Sequence, residues 1–128
     1  MHYDHARAIY LQIMDDIRQR IISGEYQCDE KIAPVRELAV RYEVNPNTMQ
    51  KALTELEQEG LLYTKRTSGR FVTNDAARIE ALRAQVITEK VREWIREMRA
   101  YGVDEKTLEE LVRKELNDHE TDRMCGCE

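Results

Sequence analysis

Polar side chains that can bond the edges of DNA bases lie close together near the middle of the chain. They are Asn45, Asn47, Thr48, Gln50 and Lys51. Asn and Gln can form two hydrogen bonds with adenine, and Lys can reach the O6 and N7 atoms of guanine or a phosphate. This combination indicates sequence recognition in the major groove. The alternative is a set of ordinary solvent-facing helix residues.

Basic side chains flank this cluster on both sides. Arg36 precedes it, and the later group comprises Lys65, Arg66, Thr67 and Arg70. The planar fork of Arg can bond phosphates and base edges, and Lys binds phosphate as a point charge. We therefore expect DNA contacts here. For Arg36 the alternative is a surface ion pair with Glu37 or Glu43, and for the later group it is a solvated strand edge.

The net charge of −5 does not exclude a phosphate-binding surface, because the charges are unevenly distributed. Residues 1–74 carry ten basic and eleven acidic side chains, whereas residues 75–128 carry ten and fourteen. Between residues 31 and 72, basic side chains outnumber acidic ones by seven to five. Local charge decides whether a surface can lie against phosphates, so this stretch is suited to DNA.

Three helices are predicted to position the central cluster. Apolar residues recur at helical spacing over residues 9–21, 35–42 and 46–59, with glycines at positions 24 and 60 ending the first and third helices. Asn45 can cap the third helix, and Pro46 suits its first turn. Only Glu43 and Val44 separate this helix from the second, so the pair forms a helix-turn-helix.

A helical wheel assigns two sides to the third helix. Its inner side contains Met49, Ala52, Leu53 and Leu56. The opposite side, which would face the major groove, contains Asn47, Lys51, Thr54 and Gln58, and the flanks contain Thr48, Gln50 and Glu55. Because helix N-termini favour anions, Asn45, Asn47 and Thr48 could also position a phosphate.

The pattern changes to a period of two after the third helix. Residues 61–64 and 70–73 read as two strands, with a basic tip between them, which predicts a β-hairpin. A helix, a helix-turn-helix and a basic hairpin in this order describe a winged helix, whose hairpin is the wing. The sequence therefore predicts a winged-helix DNA-binding domain over residues 1–74.

Residues 75–128 show two further amphipathic helices. The apolar positions of the first are Ile79, Leu82, Val86, Val91, Trp94, Ile95, Met98 and Tyr101, and those of the second are Leu108, Leu111, Val112 and Leu116. Asp104 can cap the second helix, and a frayed tail is expected beyond Asn117. Because two helices cannot bury their apolar stripes alone, we expect a dimerisation segment and a homodimer. The predicted fold is mainly α with a small β-hairpin.

Composition excludes several classes of protein. The chain has 128 residues, 41% of them hydrophobic and 35% charged, as in one small globular domain with an appendage. The apolar run Ala8 to Leu11 is far too short to span a membrane, and no signal peptide is visible, so we expect a cytoplasmic protein. No motif for an enzyme is present, and no cofactor is expected.

Two other functions are weighed against DNA binding. His119, Cys125 and Cys127 could supply soft ligands for a metal or thiol sensor. Winged helices also bind proteins, so the chain could instead be a protein-interaction module. Trp94 and Tyr101 could line an effector cavity, although a core or a dimer interface explains them better.

Six short motifs follow one another between residues 8 and 73. They are Tyr10-Leu11-Gln12-Ile13, Ile21-Ile22-Ser23-Gly24-Glu25-Tyr26, Val35-Arg36-Glu37-Leu38-Ala39, Val44-Asn45-Pro46-Asn47-Thr48, Leu56-Glu57-Gln58-Glu59-Gly60-Leu61 and Gly69-Arg70-Phe71-Val72. In this order they resemble the DNA-binding domain of GntR-family transcription regulators. The short remainder, residues 74–128, is similar to the YtrA-like branch, whose tail is mainly a dimerisation unit.

The resemblance implies a bacterial regulator, commonly a repressor that releases double-stranded DNA when a small-molecule effector binds. It also implies DNA contacts for Arg36, Asn47, Thr48 and Gln50, which match contact positions of the family. Two departures from the family pattern stand out. Pro34 replaces the serine that usually caps the second helix, and Thr67 replaces the glycine of the wing tip.

Overall fold

A computed structural model describes the backbone of residues 1–126 and the side chains of residues 1–118. Its elements are α1 (Ile9–Ile22), α2 (Val35–Tyr42), α3 (Pro46–Gln58), β1 (Leu62–Lys65), β2 (Gly69–Val72), α4 (Ala76–Ala100) and α5 (Glu105–Gly126). This order confirms the predicted mainly helical fold with one hairpin. The chain divides within α4 into two compact units, Met1–Gln85 and Val86–Glu128. The functional boundary at residue 74 stays a prediction.

The core of the first unit joins α1, α2 and α3. The four apolar side chains on the inner side of α3 are 0% exposed, which confirms the predicted wheel. They pack with Ile13 and Ile17 of α1 and with Leu38 of α2. Burying a side chain of this size contributes about 1.5–3 kcal/mol, so the packing fixes which side of α3 remains open.

The turn between α2 and α3 is closed by two backbone features. Glu43 adopts the left-handed conformation with φ 56°, and Val44 donates to the Ala39 carbonyl at 3.0 Å. Asn45 then caps α3, because its side-chain oxygen accepts from the Asn47 amide at 2.7 Å. The start of α2 has no side-chain cap at Pro34, as the sequence predicts.

The wing is an antiparallel hairpin whose register pairs Leu62 with Val72 and Lys65 with Gly69. A third segment, residues 29–32, lies along β2 and exchanges backbone hydrogen bonds with Val72 and Arg70 at 2.9–3.0 Å. This segment is too short to show an alternating pattern in the sequence. Strand β2 is thus hydrogen-bonded on both sides, to β1 and to residues 29–32.

Gly60 joins α3 to the wing in a conformation that requires glycine. Its φ is +81°, and an added Cβ would lie 2.9 Å from the Arg78 guanidinium. Arg78, from the first turn of α4, donates to the Glu59 carbonyl at 3.0 Å. Ile79 of the same turn is buried, so the beginning of α4 completes the first unit.

The second unit contains the remainder of α4 and all of α5. Hydrogen bonds from Thr107 lower the pKa of Asp104, and Leu108 donates to the Asp104 carbonyl at 3.0 Å, as expected for the start of a helix. Helix α5 runs to Gly126, so it does not end near Asn117, where the apolar pattern stops. Residues 118–125 contain neither Gly nor Pro to break it.

Side chains of the second unit remain largely open to solvent. Among residues 86–118 none is buried. The exposed large apolar side chains are Ile87, Val91, Trp94, Tyr101, Leu111 and Leu116. Across residues 1–126, moreover, no helix is both long and apolar enough to cross a membrane.

Candidate nucleic-acid interface

The outer side of α3 presents the predicted base-reading side chains. Asn47, Gln50 and Lys51 are exposed, while Thr48 is half-buried. On the helical wheel Asn47 and Lys51 lie opposite the buried apolar side chains, and Thr48 and Gln50 lie on the flanks. The four side chains thus border the open side of α3, and their contact with DNA stays a prediction.

Asn45 has a structural role that its position before α3 had suggested. Its side-chain oxygen is occupied by the Asn47 amide, so the residue fixes the first turn of α3. The side-chain NH₂ group of Asn45 can still donate, because only the side-chain oxygen is used in this bond. Asn45 thus positions the other residues and is itself exposed at the same end of the helix.

Two of the side chains on α3 are held by neighbours. Gln50 donates from Nε2 to the Thr54 hydroxyl at 3.0 Å, one turn later. The Lys51 ammonium lies 4.0 Å from the centre of the Tyr10 ring. A cation–π contact at an exposed site contributes about 0.5–1 kcal/mol, enough to favour one orientation of Lys51.

Sequence reasoning assigned Tyr10 only to the apolar stripe of α1. The contact with Lys51 joins residues on two helices that are far apart in sequence, and helical spacing carries no signal for such a pair. Tyr10 is half-buried, so its ring both packs on the core and offers a face to the ammonium. Tyr10 is therefore a functional candidate that no sequence pattern indicated.

Arg36 is exposed in the first turn of α2. It borders an open groove together with Val40, Asn45 and Pro46. Glu37, one of the two acids considered as its ion-pair partner, is instead 3.6 Å from Arg41 on the same helix. Arg36 and the beginning of α3 therefore form one continuous surface.

Acidic residues late in α3 are compensated within the protein. The Glu59 carboxylate accepts from Arg18 Nε at 3.0 Å, and this hydrogen bond raises the pKa of the Arg18 guanidinium. Glu57 accepts from the Thr64 hydroxyl and lies 3.4 Å from Arg70 Nε. Because these carboxylates have cationic neighbours, they repel phosphate less than the sequence charge suggests.

Four predicted contacts lie on the wing, and the structure separates them into two groups. Lys65, Arg66 and Thr67 are exposed at or beside the tip, with the Lys65 ammonium 4.8 Å from the centre of the Phe71 ring. The side chain of Arg70 is only 18% exposed and faces Glu57. This contact leaves no signal in the sequence pattern, because Glu57 and Arg70 belong to different elements.

The side chains considered for a metal or thiol sensor stay untested. The side chains of His119, Cys125 and Cys127 lie outside the described residues. In the part that the structure describes, no group of three His, Cys, Asp or Glu side chains is arranged to hold a metal ion. Cys28 is exposed, with a free thiol.

One bacterial protein family matches half of the chain. The family described as "Bacterial regulatory proteins, gntR family" matches residues 9–72. The chain is also 34% identical over 110 residues to the HTH-type transcriptional repressor YtrA of Bacillus subtilis. That alignment covers 72% of this chain and 85% of the repressor.

Solved structures agree with this match. A GntR family transcriptional regulator from Listeria monocytogenes superposes with a TM-score of 0.80 at 37% identity, covering 88% of this chain and 98% of the other. The DNA-binding domain of AraR, solved in complex with operator ORR3, gives a TM-score of 0.51 at 30% identity. It covers 57% of this chain and 88% of the AraR chain.

Proposed function

The chain belongs to the GntR family of bacterial regulatory proteins, and from that premise we propose that it is a repressor that binds a palindromic operator as a homodimer. Its family binds DNA to regulate transcription, and its relatives are regulators rather than enzymes. The observation that carries the proposal is the exposed polar face of α3, which stands opposite a fully buried apolar face.

Base contacts are assigned to the face of α3. Asn47, Gln50 and Lys51 are exposed there, with side-chain types that can bond adenine or guanine. Thr48 and Asn45, near the helix N-terminus, would orient the chain on a phosphate. The structural neighbour AraR was solved with operator DNA, which supports the use of the same domain here.

Phosphate contacts are assigned to the two sides of α3. Arg36 would reach the backbone and a neighbouring base edge from α2, and Lys65, Arg66 and Thr67 would reach the flanking backbone from the wing. All four are exposed, so no burial has to be reversed before they bind. Arg70 differs from them, because its guanidinium faces Glu57.

Dimerisation is assigned to the second unit. Ile87, Val91 and Trp94 recur at intervals of four and three residues on α4, and they are 51%, 48% and 38% exposed. Three large apolar side chains exposed on one side of a helix favour contact with a partner. No side chain among residues 86–118 is buried within the chain, so this apolar side is free to pack against another molecule. A second copy of the chain would supply the same surface by symmetry.

A small-molecule effector completes the proposal, as the family resemblance implies. Two copies of α3 must lie about 34 Å apart to enter successive major grooves on one face of DNA. An effector that alters the spacing or angle between them would weaken operator binding, because both half-sites could no longer be engaged together.

Selection of binding sites from random duplexes tests the proposal. The full chain should recover an inverted repeat whose half-sites are centred about 10 base pairs apart, one helical turn. Recovery of a single motif without symmetry would contradict the homodimer. A pool that shows no enrichment after several rounds would contradict sequence-specific binding.

Asn47→Ala is expected to weaken binding to the selected duplex by about 1–3 kcal/mol, the amount associated with one base-pair contact. Binding to a scrambled duplex should change little, because phosphate contacts carry non-specific affinity. Fluorescence anisotropy titrations on the two duplexes measure the difference. Equal losses on both would show that Asn47 does not read a base.

Arg66→Ala is expected to behave in the opposite way and weaken binding to both duplexes alike. Loss of one phosphate contact should reduce the slope of log affinity against log salt by about 0.9 per subunit. Titrations at four salt concentrations determine this slope. An unchanged slope would remove Arg66 from the set of phosphate ligands.

A further inference from the structure

One carboxylate on α3 contacts both strands of the wing. Glu57 accepts a hydrogen bond from the hydroxyl of Thr64 in β1, and its Oε1 atom lies 3.4 Å from Arg70 Nε in β2. Thr64 and Arg70 are direct cross-strand partners. A single side chain of the base-reading helix thus holds an opposed pair in the hairpin.

The charge pair of Glu57 and Arg70 is important because both side chains are sheltered from solvent. The side chains of Arg70 and Glu57 are 18% and 32% exposed. Arg70 Nε is buried and has no hydrogen-bond partner among the described residues, so Glu57 is the counter-charge beside it. A sheltered guanidinium that loses its counter-charge gains by turning towards water or another anion.

The base of the wing does not depend on Glu57. The backbone amide of Asp29 donates to the Val72 carbonyl at 2.9 Å, and the backbone amide of Ile32 donates to the Arg70 carbonyl at 3.0 Å. The Tyr63 hydroxyl also donates to Asp29 at 2.6 Å. Because these bonds hold the base of the hairpin, removal of the Glu57 charge should release the Arg70 side chain and loosen the tip without unfolding the wing.

We propose that Glu57 is a positioning residue for the wing, which holds the hairpin on α3 and keeps Arg70 away from DNA phosphates. The wing then binds phosphate through Lys65 and Arg66, and the ion pair of Arg70 is internal. This assignment replaces the sequence-based expectation that Arg70 is a phosphate ligand. The inference rests on the proposed function as far as DNA is concerned.

Salt dependence of DNA affinity tests the assignment with single and double variants. Arg70→Gln should leave the salt slope unchanged, whereas Arg66→Gln should reduce it by about 0.9 per subunit. Glu57→Gln should steepen the slope by about the same amount, because Arg70 becomes free to bind phosphate. In the Arg70→Gln background, Glu57→Gln should have no effect on the slope.

Glu55→Gln is the matched control, since it removes the same charge from the same helix two residues earlier. It should leave the slope unchanged. A reduced slope for Arg70→Gln would overturn the assignment, because Arg70 would then be a phosphate ligand. An unchanged slope for Glu57→Gln, or an equal increase for Glu55→Gln, would overturn it as well.

Hydrogen exchange of the free full chain tests the positioning role without DNA. Glu57→Gln should raise the exchange rates of the wing amides beyond the base, over residues 64–70, by about two- to five-fold, the range for an ion pair near the surface. Glu55→Gln should not. Unchanged rates in Glu57→Gln would overturn the positioning role. Absence of DNA binding by the unmodified chain would instead contradict the proposed function and leave this result valid.

Discussion

Val91→Glu is expected to convert the proposed homodimer into a monomer and to lower operator affinity about 100-fold or more. Val91 lies between Ile87 and Trp94 on one side of α4, and a carboxylate there would have to be buried in an apolar interface. A monomer loses the second half-site, whose intramolecular binding multiplies affinity by about 10² to 10⁴. Sedimentation and anisotropy titrations measure the two effects.

Ala100→Glu provides a matched control. It adds the same charge to the same helix at an exposed position, on nearly the opposite side from Val91 at 100° per residue. It should leave both the dimer and the affinity unchanged. A Val91→Glu chain that stays dimeric would show that this side of α4 is not the interface.

Leu53→Ala is expected to destabilise the first unit by about 2–5 kcal/mol, as other deletions of buried leucine side chains do. Leu53 is 0% exposed within the core that α3 shares with α1. Because small domains have a total stability of about 5–15 kcal/mol, this single change removes a large fraction. The orientation of the α3 face proposed to read bases depends on the same packing.

Urea unfolding followed by circular dichroism measures this loss. Gln58→Ala changes an exposed residue of the same helix and should alter the free energy of unfolding by no more than about 0.5 kcal/mol. Similar midpoints for the two variants would contradict the assignment of Leu53 to the core.

Sequence patterns predicted much of the fold because local periodicity determines which residues form helices and strands. The spacing of Met49, Ala52, Leu53 and Leu56 predicts the inner side of α3, and all four side chains are buried. Asn45 and Pro46 predict where the helix begins, and they stand at the cap and the first helical position. The order of helices and hairpin predicted a winged helix, which the comparisons confirm.

Contacts between distant elements were not predictable in this way. Lys51 over Tyr10, and Glu57 beside Arg70, each join two elements whose relative placement no periodicity encodes. The α5 helix differs for another reason. Its apolar pattern stops at Asn117, whereas its backbone stays helical to Gly126, so the pattern alone does not locate the end of the helix. The frayed tail expected beyond Asn117 stays a prediction.

Fluorescence anisotropy of the full chain on its selected duplex and on a scrambled duplex, at two salt concentrations, separates sequence-specific recognition from non-specific binding. The selected duplex should bind at least about 10³-fold more tightly and keep most of this advantage at the higher salt. Base contacts are less sensitive to salt than phosphate contacts are. Equal affinities that fall together as salt rises would contradict sequence-specific recognition by α3.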